Sequence, residues 1–334
     1  MAHWIWLDGR LVSAEGPHLP VTDRGFQLGD GVFETARARR GVVIELDEHL
    51  HRLHESAWAT ALHLPIDDRQ LVGGIAELLA AEGLAGDDGD AAIRITVSRG
   101  SLERRGLLPV GWEVARATVV IQAWPYAPPP IHRLERGVRA VTSSVRRDPT
   151  SPLAGIKSTS RADYVFAALE AHRAGADDAL FLTLDGAVSE GTTANVWALA
   201  GDRLRTPPPG AAILAGTTRT WLLAHAAELG LRAEEAMFRP DDLLAADEAF
   251  LSSSVAGIVP LVALDGRPVG GGRPGPWTRG LREARERWIE AAARAGAALV
   301  PGELIAPVPG RDRPAPVPGH EGPARVPGHE GPAR

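Results

Sequence analysis

The chain has 334 residues, 44% of them hydrophobic and 23% charged, with a net charge of −6 and no cysteine. That length suits two domains, each with its own core, and no run of about 18 apolar residues offers a membrane span. Disulfides, thiolate metal sites and cysteine nucleophiles are excluded, an acidic net charge gives no general attraction to nucleic acid or anionic membrane, and the start Met1-Ala2-His3-Trp4 has no export signal, so a cytoplasmic location is expected.

Trp4 to Leu7 and Leu11 to Ser13 flank Asp8-Gly9-Arg10 and read as an opening β-hairpin. The passage Asp23-Arg24-Gly25-Phe26-Gln27-Leu28-Gly29-Asp30-Gly31 lacks the strand and helix context of a dinucleotide loop, so tight turns are expected there. Val32 to Arg37 and Gly41 to Glu45 then read as partner strands. Asp47 to Leu62 has helical spacing, with Leu50, Leu53, Ala57 and Ala61 on one face and Asp47 as N-cap. His49, His51 and His54 crowd its start, but His49 and His51 fall about 200° apart around a helix, so no metal site is expected.

Leu71 to Leu84 is a second helix, closed by the acidic loop Gly86 to Asp90, and Ala91 to Ser98 alternates as a strand. The basic loop Arg99 to Gly106 is either solvated surface or an anion clamp, and Val114 to Ala123 is a further strand. Trp124-Pro125-Tyr126-Ala127-Pro128-Pro129-Pro130 follows as an extended interdomain linker. Beyond it come a strand from Gly137 to Ser144, a helix from Arg161 to Ala174, and apolar strands at Ala179 to Leu184 and Ala194 to Leu199. A helix starts near Gly216-Thr217-Thr218 and lasts to about Gly230, a short one spans Asp241 to Ala246, strands follow at Ala249 to Ser254 and Gly257 to Val262, and Thr278 to Ala295 is a long terminal helix. Without regular strand–helix alternation the fold class is α+β rather than a doubly wound parallel sheet. The expected domains are 1–122, a linker at 123–131, a larger domain at 132–300, and a Pro/Gly-rich tail at 301–334, where Val317 to Arg325 recurs as Val326 to Arg334; disorder is expected there.

Lys157 is the sole lysine among 36 basic residues. Surface pairing and phosphate contacts are served by arginine in this chain, so a retained amine points to a nucleophile, which guanidinium is too basic to be. Glu190 sits in an apolar strand–turn context suited to a fixed acid. Gly216-Thr217-Thr218 at a helix start offers N–H groups and hydroxyls to a dianion, and Arg52 on a packed helix completes such a site. Amine, acid and anion cradle are the parts that pyridoxal 5'-phosphate needs.

In order and spacing, Asp23-Arg24-Gly25, Gly29 to Glu34, Glu48-His49-x-x-Arg52-Leu53, Gly155-Ile156-Lys157, Ser189-Glu190-Gly191 with Asn195, Leu214-x-Gly216-x-Thr218-Arg219 and Gly275-x-Trp277-Thr278 resemble the class IV aminotransferases, pyridoxal-phosphate enzymes of fold type IV. The resemblance covers Trp4 to about Trp288. It implies a small α/β N-terminal domain, a larger pseudo-barrel C-terminal domain and a homodimer. It also implies roles by position: Lys157 as Schiff-base lysine, Glu190 at the pyridine nitrogen, Arg52, Thr217, Thr218 and Ser254 at the phosphate, and Leu214 on the ring face. Phe33, Arg94, Arg104 and the backbone at Val255 are expected at the substrate.

The chain departs from the family in places. Branched-chain enzymes carry a tyrosine five positions after the lysine, where this chain has Ala162, with Tyr164 two further on and Arg161 before it; Ala92-Ile93-Arg94 lacks their Tyr-x-Arg tyrosine. Arg104 matches the D-amino-acid enzymes' clamp arginine, whereas Gly106 stands in place of their histidine. Aminodeoxychorismate lyases share Pro152 to Lys157 and Lys157-x-x-x-Arg161. The expected activity is amino transfer between a branched-chain or D-type amino acid and a 2-oxo acid. The alternatives are lysis of 4-amino-4-deoxychorismate, giving 4-aminobenzoate, and a non-catalytic pyridoxal-phosphate-binding homologue.

Overall fold

The structure is a computed structural model describing residues 3–16, 18–102, 106–108, 111–112 and 115–296. Arg104 and the tail at 301–334 lie outside the described residues.

The first part of the chain builds one antiparallel sheet and two covering helices. Strands β1 (Trp4–Leu7) and β2 (Arg10–Ser13) form the hairpin across Asp8 and Gly9. A short helix α1 (Arg24–Leu28) occupies the glycine-rich passage, correcting the expectation of turns alone: the Asp23 carboxylate accepts from the Phe26 N–H, and Gly29, at φ 66°, ends the turn in the left-handed region. Strands β3 (Gly31–Arg39) and β4 (Val42–Val43), helices α2 (Leu46–Ala59) and α3 (Asp68–Ala81), and strands β5 (Asp90–Ser98) and β6 (Thr118–Pro125) follow. The sheet order is β2-β1-β6-β5-β3-β4. Helix α2 starts one residue before Asp47, which lies in its first turn rather than at its N-cap; the N-cap position is Glu45, left-handed at φ 55°. Leu50, Leu53, Leu71, Ile75 and Leu78 from the helices pack with Val32, Ile93, Ile95 and Ile121 from the sheet. Because side chains alternate along a strand, β3 and β5 turn Phe33, Thr35 and Arg94 to the opposite face. That face lines the site.

Residues 126–130 lead from β6 to helix α4 (Ile131–Arg136). Strand β7 (Val138–Arg147), helix α5 (Ala162–Arg173) and strands β8 (Asp178–Thr183), β9 (Val188–Gly191), β10 (Asn195–Ala200) and β11 (Arg203–Thr206) come next. They are followed by helix α6 (Thr217–His225), strand β12 (Arg232–Glu235), helix α7 (Pro240–Leu244), strands β13 (Glu248–Ser253), β14 (Gly257–Leu264) and β15 (Arg267–Pro268), and helix α8 (Pro276–Ala295). The path β10-β13-β14-β7-β8-β9 closes on itself, since Glu190 of β9 also pairs with Asn195 of β10. This closed ring is the pseudo-barrel of fold type IV.

Both faces of the ring are buried. Along β10, Val196 and Ala198 join one core with Leu180, Leu251 and Val259, while Trp197 and Leu199 join another with Trp221 of α6 and Leu281 of α8. That double burial explains why these strands read as continuous apolar runs. Helix α8 returns to the first sheet, where Arg37 of β3 bonds Glu286 at 2.9 Å and Arg285 bonds Glu45 at 2.8 Å.

Candidate active site

A cavity of about 680 Å³ opens between the first sheet and the ring, lined by Phe33, Arg52, Arg94, Lys157, Glu190 and Leu214 among others. Lys157 stands on the irregular segment joining β7 to α5. That segment is sewn to the start of β3: the Phe33 N–H donates to the Lys157 carbonyl at 3.0 Å, and the Thr159 N–H donates to the Gly31 carbonyl at 2.9 Å. Glycine suits the approach, since Gly29 sits at φ 66° and a Cβ there would lie 3.0 Å from the Ser160 Cα. The Lys157 N–H donates to Ser56 Oγ of α2 at 3.3 Å, and its amine lies 4.7 Å from the centre of the Phe33 ring. Burial pulls the amine's pKa from 10.5 down to about 8, with Arg52 and Arg161 adding to the effect and Glu34 and Glu190 partly opposing it. An amine in that range supplies a sizeable neutral fraction near neutral pH.

Glu190 faces the same cavity from β9, at the seam where the ring closes. Its Oε1 accepts from the Tyr164 hydroxyl at 3.0 Å and its Oε2 from the Leu214 N–H at 2.8 Å, while Arg147 stands 3.7 Å away. Burial, and then the Glu190 charge, push Tyr164 up to about 12, which keeps it a proton donor toward the acid. Asn195 donates to the Leu214 carbonyl at 2.8 Å, so Leu214 is held from both sides of its peptide. Gly216 permits this packing, because a Cβ there would lie 2.2 Å from Asn195 Oδ1.

At the other end of the cavity α6 begins without a side-chain cap, leaving its first N–H groups without a capping side chain among the described residues. Thr217 Oγ1 and Ser254 Oγ lie 3.1 Å apart, and Thr218 Oγ1 is buried with no partner among the described residues. An orphaned hydroxyl beside open helix N–H groups suits a phosphate. Arg52 reaches the same cavity from α2, its Nη1 donating to the Ala215 carbonyl at 2.7 Å. Amine, acid and cradle therefore fit a phosphorylated pyridine aldehyde by the chemistry of their donors and acceptors.

Of the residues expected from the sequence, Phe33, Arg52, Arg94, Lys157, Glu190, Leu214, Ser254 and Val255 line this one cavity. Thr217 and Thr218 are buried behind Gly216 rather than along the wall, with Thr217 touching the wall through Ser254.

Two residues named in the sequence motifs only by position, Glu34 and His49, turn out to support the site. Glu34 takes Arg52 in a two-pronged pair at 2.7 Å on each oxygen, and His49 Nδ1 bonds the same carboxylate at 2.7 Å. Burial raises the Glu34 carboxyl, but the bonds from Arg52 and His49 outweigh it and bring it down to about 2. Glu34 lies on a strand and the other two on α2, 15 and 18 residues later, so no local pattern links them. Replacing Glu34 by glutamine leaves Arg52 as a buried charge without its partner. We expect a loss of roughly 3 kcal/mol of stability, at the lower end for broken buried pairs. Thermal denaturation indistinguishable from the parent would show that Glu34 does not hold Arg52.

Comparison with known proteins bears on this arrangement. The family model described as amino-transferase class IV matches residues 31–264. A putative branched-chain-amino-acid aminotransferase of Methanocaldococcus jannaschii is 36% identical over 289 residues, spanning 85% of this chain and 97% of the relative. A D-alanine aminotransferase of Bacillus licheniformis is 32% identical over 290 residues, spanning 85% of this chain and 96% of its own. Among solved structures, the branched-chain aminotransferase of the thermophilic archaeon Thermoproteus uzoniensis with norvaline superposes with a TM-score of 0.78 at 33% identity, covering 86% of this chain and 95% of the other.

Proposed function

The chain belongs to the class IV aminotransferases, an enzyme family dependent on pyridoxal phosphate, and from that premise we propose that it holds pyridoxal 5'-phosphate at Lys157 and moves amino groups from a branched-chain or D-type amino acid to a 2-oxo acid. The observation that carries the proposal is a single buried amine with a pKa near 8 in one cavity with a fixed carboxylate, Glu190. Lys157 would hold the cofactor through its amine and would move the proton on and off the substrate α-carbon. Glu190, held by Tyr164 and Leu214, would receive the ring nitrogen, where a carboxylate would favour that nitrogen's protonated form. Arg52, Thr217, Thr218 and Ser254 would hold the phosphate, and Leu214 would pack on the ring. Phe33, Arg94, Arg104 and the backbone at Val255 form the substrate end. When bound, the cofactor supplies the carbonyl carbon and the ring that withdraws electrons from the substrate α-carbon.

A homodimer belongs to the proposal. Val21, Phe26 and Leu107 are exposed apolar side chains of the kind a second copy would cover, and Arg24 donates to the Leu107 carbonyl at 2.6 Å. The proposal also places the enzyme in the cytoplasm; no helix among the described residues is long and apolar enough to cross a membrane.

The test supplies purified protein of two-chain mass, by light scattering, with pyridoxal 5'-phosphate, a panel of D- and L-amino acids, and pyruvate or 2-oxoglutarate. New amino acid formed from the 2-oxo acid is expected. Release of 4-aminobenzoate from aminodeoxychorismate, without amino transfer to any 2-oxo acid, would overturn it.

A further inference from the structure

We propose that Arg161 is a specificity-determining residue of this site, which together with Arg94 binds the side-chain carboxylate of a dicarboxylic substrate. The inference rests on the amino-transfer reading above. It concerns the position four residues after Lys157, at the N-cap of α5.

Three cations surround one aromatic ring. The Arg94 guanidinium lies 3.9 Å from the centre of Phe33, the Lys157 amine 4.7 Å and the Arg161 guanidinium 5.8 Å. Arg161 is held in place by a carbonyl and an aromatic ring rather than by an acid: its Nη2 donates to the Thr192 carbonyl at 3.0 Å, and its guanidinium lies 3.1 Å over the Tyr164 ring. Arg94 spends its Nε on Thr96 Oγ1 at 3.1 Å. Among the described residues neither guanidinium forms an ion pair, and both residues line the cavity.

The arrangement is costly without a ligand. Burial lowers the basicity of both arginines, and Arg161 lowers that of Arg94 and of Lys157 further by repulsion. Both nevertheless remain charged, since a guanidinium does not lose its proton in a protein. The titratable groups around them are Arg147, neutral Tyr164 and Glu190 beside Arg161, and Arg52 and Glu34 beside Lys157. Glu34 is committed to Arg52, and Glu190 accepts from Tyr164 and Leu214. A substrate with a branched apolar side chain has only its α-carboxylate to offer these desolvated guanidinium groups, whereas a second carboxylate adds a charge-assisted partner for them. The planar fork of Arg161, already oriented by Tyr164, loses little freedom in making them.

The test compares 2-oxoglutarate with 2-oxoisovalerate as amino acceptor, at a fixed amino donor, in the holoenzyme and in Arg161→Gln and Arg161→Lys. The ratio of kcat/KM for the dicarboxylic over the monocarboxylic acceptor is expected to fall about 10- to 100-fold in Arg161→Gln, chiefly through KM, with partial recovery in Arg161→Lys. A second measurement needs no variant: glutarate should inhibit the unaltered holoenzyme about tenfold more tightly than butyrate. An unchanged ratio, an equal loss on both acceptors, or equal inhibition by glutarate and butyrate would overturn the role of Arg161 while leaving amino transfer standing. Absence of transfer to either acceptor from any donor would overturn both.

Discussion

Lys157→Arg is expected to lower turnover by at least about 10⁴-fold, because one side chain both captures the carbonyl and moves the α-proton, and proton transfer alone contributes up to that factor. Arginine keeps the positive charge beside Phe33, Arg94 and Arg161, so the electrostatics of the cavity change little. What disappears is the lone pair, since guanidinium stays protonated at any working pH. Borohydride treatment with pyridoxal 5'-phosphate should leave a covalent label on the parent chain, whose sole lysine is Lys157, and none on the variant. In the parent, the rate of carbonyl capture should rise with pH through about 8 rather than about 10.5, because the neutral amine is the nucleophile and burial has lowered its pKa. Turnover within tenfold of the parent, or a capture rate that rises only above pH 10, would remove Lys157 from the chemistry.

Glu190→Gln is expected to cut kcat by roughly 10²–10³, comparable to losing one preorganised electrostatic contact. Glutamine is nearly isosteric and still offers one oxygen, so either the Leu214 N–H or the Tyr164 hydroxyl keeps its acceptor. Tyr164 can rotate its hydroxyl to receive the new amide N–H. The fold and the packing of Leu214 are thereby preserved, while the negative charge that stabilises a protonated ring nitrogen is gone. The loss should fall on the step that breaks the α-C–H bond, seen as a larger primary isotope effect with α-deuterated donor, and cofactor retention should change much less. A variant with parental kcat, or one whose defect is entirely in cofactor retention, would show that the acid has no electronic role.

The legible part of this protein was carried by chemistry that is rare in its own chain. A single amine among arginines marks itself in any reading, and Glu190, Arg52 and Thr217–Thr218 stand at recognisable motif positions. The long helices were legible for a second reason, the apolar periodicity that α2, α3 and α8 need to cover a core. Where elements were misread, the pattern was too short to repeat. Helix α1 spans five residues, and β9, which bears Glu190, spans four and is buried throughout, so neither shows a period.

Relations between distant segments were decided by tertiary structure alone. The pairing of Glu34 with Arg52 and His49 joins a strand to a helix, and the hold of Tyr164 and Leu214 on Glu190 joins a helix, a strand and a loop around the ring seam. Arg161 illustrates the same limit: beside Lys157 in the chain it is one more arginine, and only the fold brings Arg94 and Phe33 to it. By itself the sequence determined which reactive groups exist, and with them the cofactor chemistry, because composition and spacing are local properties. Which charges are neutralised inside the cavity and which are left for a substrate depended on burial and on partners brought together by the closed ring and the first sheet.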